Sequence, residues 1–219
     1  MVVSRPQARV WVARSLEARP FTTTFARLEP IGVPGESSGA DANAIYVAHV
    51  WIRAAGKYRL VARPLGGRER IAGVVDLDVA SRSLSPAVGS RAYPSHTPTL
   101  AGAHGRVQEL TTRVPPDRAL VRTAIAAALA AHEPFVVTFA TPRYCESRIC
   151  GPVVDVVDHV RKQYARTPVR KGQNRWVRQW HLPGEPWTFL VGRDGRIKAK
   201  FQGSVSTREL GEAINRLLL

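Results

Sequence analysis

Between Pro134 and Pro152 an apolar run, Phe135 to Ala140, leads into a short turn. That turn bears the only two cysteines of the chain, Cys145 and Cys150, and continues through Gly151-Pro152 into a segment whose valines recur at helical spacing. A buried strand that feeds a helix through a cysteine-bearing turn is how a thiol–disulfide site is built, because helix-opening amides stabilise the thiolate, the reacting species. Two cysteines in 219 residues are too few for a disulfide framework, so they read as one reactive pair or as two unrelated buried thiols, and spacing and context favour the pair. Arg143 and Arg148 lie within sequence reach of Cys145 and are expected to favour its anion, which makes Cys145 the more reactive thiol.

The spacing sets a geometric condition. Residues five apart on an ideal helix have Cα atoms about 8.6 Å apart, beyond the range a disulfide spans, whereas residues three apart are about 5 Å apart. A Cys145–Cys150 bond therefore requires non-helical backbone between the two. Pro152 fits a first helical turn, so the regular helix is expected to begin only after Gly151.

The hydrophobic content of 44% excludes a disordered chain. No stretch approaches the roughly 18 apolar residues of a membrane span. Arginines between Met1 and Ala13 interrupt any signal-peptide core, so no export signal is expected there. The net charge of +15 comes almost wholly from arginine, Lys57, Lys162, Lys171, Lys198 and Lys200 being the only lysines, and the arginines are dispersed. Only Arg161 to Arg178 forms a local basic run, interleaved with Tyr164 and Trp176. The excess is read as a solvated surface rather than a nucleic-acid site.

Along residues 1–80, Val10 to Val12, Ala44 to Ile52, Tyr58 to Ala62 and Val75 to Val79 alternate as half-buried strands between glycine-rich turns such as Gly66-Gly67. They predict a small all-β sandwich, with Asp76 and Asp78 facing solvent. Residues 81–116, rich in Ser, Pro and Gly, read as a linker or lead-in. From 117 to 219 the predicted order is a helix over Asp117 to His132, the strand Phe135 to Ala140, the cysteine pair, the valine-rich helix, a short helix over Asn174 to His181, and the strand Trp187 to Val191. An Asp194-Gly195 turn, a strand over Ile197 to Phe201 and a helix opened by a Ser206/Glu209 capping box complete it.

This order, with FATPRYCESRICGP and LPGEPWTFLVGRDGRI, resembles the thioredoxin-like superfamily, and more closely bacterial members that carry a β-rich, immunoglobulin-like segment ahead of the redox domain. The resemblance covers about residues 85–219 well and the first 80 loosely. It implies an α/β thioredoxin-like domain with a mixed sheet behind the all-β sandwich-like domain. It further implies Cys145 as nucleophile, Cys150 as resolver and Pro186 as a cis-proline that positions substrate backbone, flanked by Glu185 and Trp187. Tyr144 and Trp187 are candidate substrate-contacting aromatics, with core packing the equal alternative for each. The implied partners are protein thiols and disulfides, with no cofactor beyond the redox-active disulfide. Relatives of this kind act outside the cytoplasm, which here requires an N-terminal signal or membrane anchor missing from this sequence.

One departure concerns the fold. The crossover strand that should run parallel to Phe135 to Ala140 falls where residues 165–174 offer a single apolar residue, Val169, so the sheet is expected to lack that strand and to expose an edge, with low stability or dimerisation as the result. Three other functions compete with disulfide exchange. The C-x4-C spacing also occurs in one class of peroxiredoxins, but Pro142 stands where their Thr or Ser belongs. The cysteines could serve as soft metal ligands, but the six histidines show no metal-site spacing. A non-catalytic binding protein with a degenerate thioredoxin domain is the third.

Overall fold

The alternating segments near the amino terminus form β1 (Gln7–Ala13), β2 (Thr22–Pro30), β3 (Ala44–Val47), β4 (Gly56–Pro64) and β5 (Gly73–Val79). All pair antiparallel in one sheet of order β3-β2-β1-β4-β5. The computed structural model describes residues 7–36, 43–66, 73–145, 148–164, 169–172 and 174–219. Gly67 of the expected Gly66-Gly67 turn, and residues 165–168 and 173 of the basic run, lie outside these. The chain divides into two compact units, Met1–Pro30 with Ala44–Ser83, and Ile31–Asn43 with Leu84–Leu219.

Among the described residues the first unit holds one sheet, not the two facing sheets of a sandwich. The inner face, with Ala8, Val10, Val12, Ala26 and Tyr58 buried, is packed by Tyr46, Ala48, Val50 and Ile52. The last three continue the alternation of β3 but leave its ladder and lie against the sheet's own inner face. The sequence pattern misses β2, whose Thr22-Thr23-Thr24 start lacks apolar alternation.

In the second unit α1 (Ile125–Ala130) is much shorter than the helix expected over Asp117 to His132. A 3-10 turn, Arg118–Val121, opens under an Asp117 cap, and Ala124 is extended. Long-range hydrogen bonds override the alanine propensity here: the Ile125 amide donates to Thr97 Oγ1 at 3.1 Å and the Ala126 amide to the Ser95 carbonyl at 2.9 Å. There follow β6 (Phe135–Phe139), α2 (Cys150–Gln163), β7 (Val169–Gly172), α3 (Asn174–Gln179), β8 (Trp187–Val191), β9 (Ile197–Gln202) and α4 (Thr207–Leu217). The sheet order is β7-β6-β8-β9, with β6 and β7 parallel and the other pairs antiparallel.

The crossover strand is therefore present, and the expectation of a missing strand is corrected. β7 needs only four residues and one bonded neighbour because it lies at the edge of the sheet. The expectation of an unpaired β6 edge falls with it.

Both faces of this sheet are covered. Val136 and Leu190 pack with Val153, Val156, Val157 and Val160 of α2 and Leu210 and Ile214 of α4. Phe135, Val137, Phe139 and Phe189 pack on the other face with Ile125, Trp176 and Trp180. Valine costs a helix roughly 0.5 kcal/mol each relative to alanine, while burying each side chain returns about 1.5 kcal/mol or more, so packing decides α2 in favour of helix. Trp176, which sits within the basic run, is likewise a core residue, with Arg175 stacked 4.6 Å from its ring centroid.

Residues 84–116, expected as linker or lead-in, lie in this unit. Gly89 and Ser90 bond the outer edge of β9 through Gly89 N–H to Ile197 O (2.8 Å) and Ile197 N–H to Ser90 O (2.9 Å). Lys200 Nζ donates to Ser85 Oγ at 2.9 Å and to the Pro86 carbonyl at 3.2 Å.

Candidate functional site

The register of β6 and β8 places the site. Phe139 stands opposite Trp187, so the turn that follows β6 and the Glu185-Pro186 pair that precedes β8 occupy the same end of the sheet. The turn opens with a 3-10 segment, Pro142–Tyr144, and Cys145 is extended at φ −83°, ψ 111°. Arg148 adopts a left-handed φ of 55°, and its amide donates to the Cys145 carbonyl at 3.2 Å. That conformation costs a non-glycine residue about 1 kcal/mol. The helix α2 then begins at Cys150 itself, two residues earlier than Pro152 implied, with Ile149 at its N-cap and Pro152 in its first turn. Proline is tolerated there because first-turn amides have no acceptor within the helix.

This path brings the two cysteine Cα atoms to 6.0 Å, and Cys145 and Cys150 form a disulfide. The non-helical backbone that C-x4-C spacing demands is met at Cys145 and Arg148. The two sulfur-bearing residues differ in environment. Cys150 is 0% exposed, packed among the α2 valines, while Cys145 is only partly buried at the margin of that cluster.

The Glu185–Pro186 peptide bond is cis, and the Pro186 carbonyl accepts the Gly203 amide at 2.9 Å. Gly203 in turn packs towards Ile149, whose Cδ1 stands 3.9 Å from where a Cβ on Gly203 would lie. Through Gly203 the proline is therefore linked to the residue preceding Cys150. Glu185 Oε1 is shielded from solvent and has no hydrogen-bond partner among the described residues.

The two candidate aromatics separate. Tyr144 is 72% exposed beside Cys145 with the Arg143 guanidinium 5.9 Å from its ring centroid. Trp187 is 6% exposed and stacked on Phe189 at 5.7 Å, so its ring is core and the packing alternative holds for it. Arg143 and Arg148 are both exposed on the cysteine turn. The Arg143 amide donates to Thr112 Oγ1 at 3.4 Å, which brings residues 112–115 to the rim of the site. Val114, two residues after Thr112, is 91% exposed and carries no sequence pattern that singles it out.

Charge fastens this rim to α2. Arg113 Nε donates to Asp155 Oδ1 at 2.9 Å, and Arg161 bridges Asp158 and Asp117 at 2.7 and 3.1 Å. Burial alone would push the Asp158 carboxyl up. The hydrogen bonds of Asp117, Lys162 and Arg161 together outweigh it and hold the group at about 2. Among the described residues no group of three or more His, Cys, Asp or Glu is placed to hold a metal ion, and no helix is long and apolar enough to cross a membrane.

No family model matches this sequence, and no curated protein matches it. Among solved structures, the crystal structure of a thiol:disulfide interchange protein, a thioredoxin family protein from Chlorobium tepidum TLS, is similar to it. That likeness is 13% identical, covers 64% of this chain and 100% of the other, and has a TM-score of 0.34. By its own geometry, a cysteine pair closing between the first strand and second helix of this unit, beside a cis-proline, the Cys145–Cys150 pair fits a thioredoxin-like site.

Proposed function

We propose that this chain is a thiol–disulfide oxidoreductase that exchanges disulfides with partner proteins through Cys145 and Cys150. The observation that carries the reading is the asymmetry of the pair: a disulfide at the strand–helix junction with one sulfur-bearing residue sealed in the core and the other at the surface. A reagent approaching the pair meets Cys145 first. In the reducing direction the Cys145 thiolate attacks a sulfur of the partner's disulfide, forming a mixed disulfide and expelling one partner thiolate. The Cys150 thiolate then attacks Cys145 Sγ, which releases the second partner thiolate and restores the Cys145–Cys150 bond, so two electrons pass to the partner and the expelled thiolates take up protons from solvent. The same steps reversed oxidise a dithiol partner. In this reading Pro186 and Glu185 flank the partner backbone as it approaches the pair. Arg143 and Arg148 favour the anion at Cys145.

Equilibration in glutathione buffers of stepped potential, with free thiols trapped by a mass-tagged alkylating agent, tests this reading. A cooperative two-electron transition is expected between about −120 and −270 mV. Cys150→Ser should accumulate a mixed disulfide with glutathione at Cys145, and Cys145→Ser should lose exchange. A pair that never closes, or turnover that survives Cys145→Ser, would sink the assignment.

A further inference from the structure

The outward face of the first unit's sheet carries arginines and aromatic rings in register. While Ala8, Val10 and Val12 of β1 are buried, Arg9 and Trp11 point the other way. Arg9 stands directly opposite Phe25 on β2 and Arg63 on β4, and Arg27 occupies the next outward position of β2. The Arg9 guanidinium lies 5.6 Å from the Phe25 ring centroid and that of Arg63 lies 5.7 Å from Trp11. Arg9, Arg27 and Arg63 are exposed, as is Phe25.

The charge arrangement distinguishes this half of the face from the other. On β4 and β5, Arg59 pairs with Asp76, and Lys57 stands opposite Asp78, so the cations there are neutralised across the strands. Arg9 and Arg63 face each other with like charge, an arrangement that destabilises a sheet. Among the described residues no carboxylate pairs with Arg9, Arg27 or Arg63. The sheet thus sustains a repulsion that its own packing does not require and that an anionic partner would relieve.

We propose that this face docks an acidic, extended segment of a partner protein. A guanidinium drawn towards a ring face keeps its N–H fork for other partners, and that fork grips a carboxylate by two parallel bonds. Side chains on one side of an extended segment recur about every 6.8 Å, the separation of the successive rows that hold Arg9 and Arg27. Trp11 and Phe25 each already have a guanidinium near the ring, so the base stacking that single-stranded nucleic acid relies on would compete with those contacts. The net charge of +15 steers an acidic segment towards the chain from a distance.

The test is fluorescence anisotropy with the full chain and a labelled peptide alternating glutamate and serine. A lysine–serine peptide and an oligodeoxythymidylate serve as comparators, at low salt and at about 150 mM. The glutamate peptide should bind tightest. Arg9→Ala with Arg63→Ala should weaken it about tenfold, whereas Arg82→Ala with Arg193→Ala, which removes the same charge elsewhere, should change it less than about twofold. Arg9→Lys with Arg63→Lys, which keeps the charge but loses the fork, should weaken it about threefold, and this pair decides if the alanine pair does not fold. Equal loss in the Arg82/Arg193 pair, tighter binding of the oligodeoxythymidylate, or no binding at low salt would overturn the proposal. The measurement does not depend on the state of Cys145 and Cys150, so its failure leaves the thiol–disulfide reading standing.

Discussion

The amide of Gly203 donates to the carbonyl of Pro186 across 2.9 Å, tying the residue that leaves β9 to the residue that enters β8 beside the disulfide. Gly203 does so at φ 79°, with only ordinary contact distance to Ile149. Gly203→Ala has room for its methyl group but not the backbone preference, and should destabilise the chain by about 1 kcal/mol. A lower denaturant midpoint at unchanged slope is the expected result. An unchanged midpoint would mean that this turn relaxes freely.

Asp158, 3% exposed, links acid stability to the rim of the site. Its carboxyl titrates at about 2 in the folded chain against an ordinary value of 3.8. The folded state therefore holds fewer protons between these values, and the group contributes roughly 2 kcal/mol that is complete above about pH 4 and lost as pH falls through about 2. Asp158→Asn should lower stability at neutral pH by roughly 2 kcal/mol and flatten the acid limb of the stability profile. Thermal melts from pH 7 down to pH 2 read both effects, and an unaltered acid limb would remove Asp158 from the account.

Thr138 and Thr188 meet in the middle of the second sheet, their buried hydroxyl oxygens 3.1 Å apart. Replacing one by valine leaves the other hydroxyl unpaired in the core and should cost about 1–3 kcal/mol, whereas replacing both should cost far less than the sum. A double-mutant cycle by urea denaturation measures the coupling.

Ser95 is the pin of the residues before α1. Its hydroxyl accepts from Trp180 Nε1 at 2.9 Å and donates to Gln179 Oε1 at 2.6 Å. Ser95→Ala should cost about 1–3 kcal/mol and shift Trp180 fluorescence, because the buried indole N–H loses its acceptor. Stability within about 0.5 kcal/mol of the parent would show that another acceptor replaces it.

What the sequence reveals depends on whether a local pattern carries the structure. The capping box at Ser206/Glu209, the turn at Asp194-Gly195 and the non-helical backbone at Cys145 and Arg148 are legible because each is dictated within a few residues. β7 is not legible, since an edge strand is defined by the bonds of β6 and not by its own polar composition. The break before α1 is hidden for the opposite reason: alanines promise a long helix, and Thr97 and Ser95, some thirty residues upstream, take the amides that would have begun it. The pairing of Arg9 with Arg63 needs the strand order, which alternation alone does not supply. Of the candidate site, the cysteine pair and the cis-proline are readable, whereas the burial of Trp187 and the contact of Arg143 with Thr112 depend on tertiary packing.

The stretch from Ser85 to Ala92 changes where this molecule can be cut. A fragment starting at Asp117 would contain every strand of the second sheet, yet it would strip Gly89, Ser90 and Ala92 from the outer margin of β9 and the hairpin before it. The amide and carbonyl of Ile197 would then face water beside a row of apolar side chains, a template onto which another chain can add a strand. Such a fragment should clump as it folds, while one starting at Leu84 keeps its own seal. A piece bearing the disulfide that keeps this edge covered is therefore longer than the thioredoxin-like pattern by about thirty residues, which serve as its selvedge, and Ile31–Asn43 belongs to the same unit.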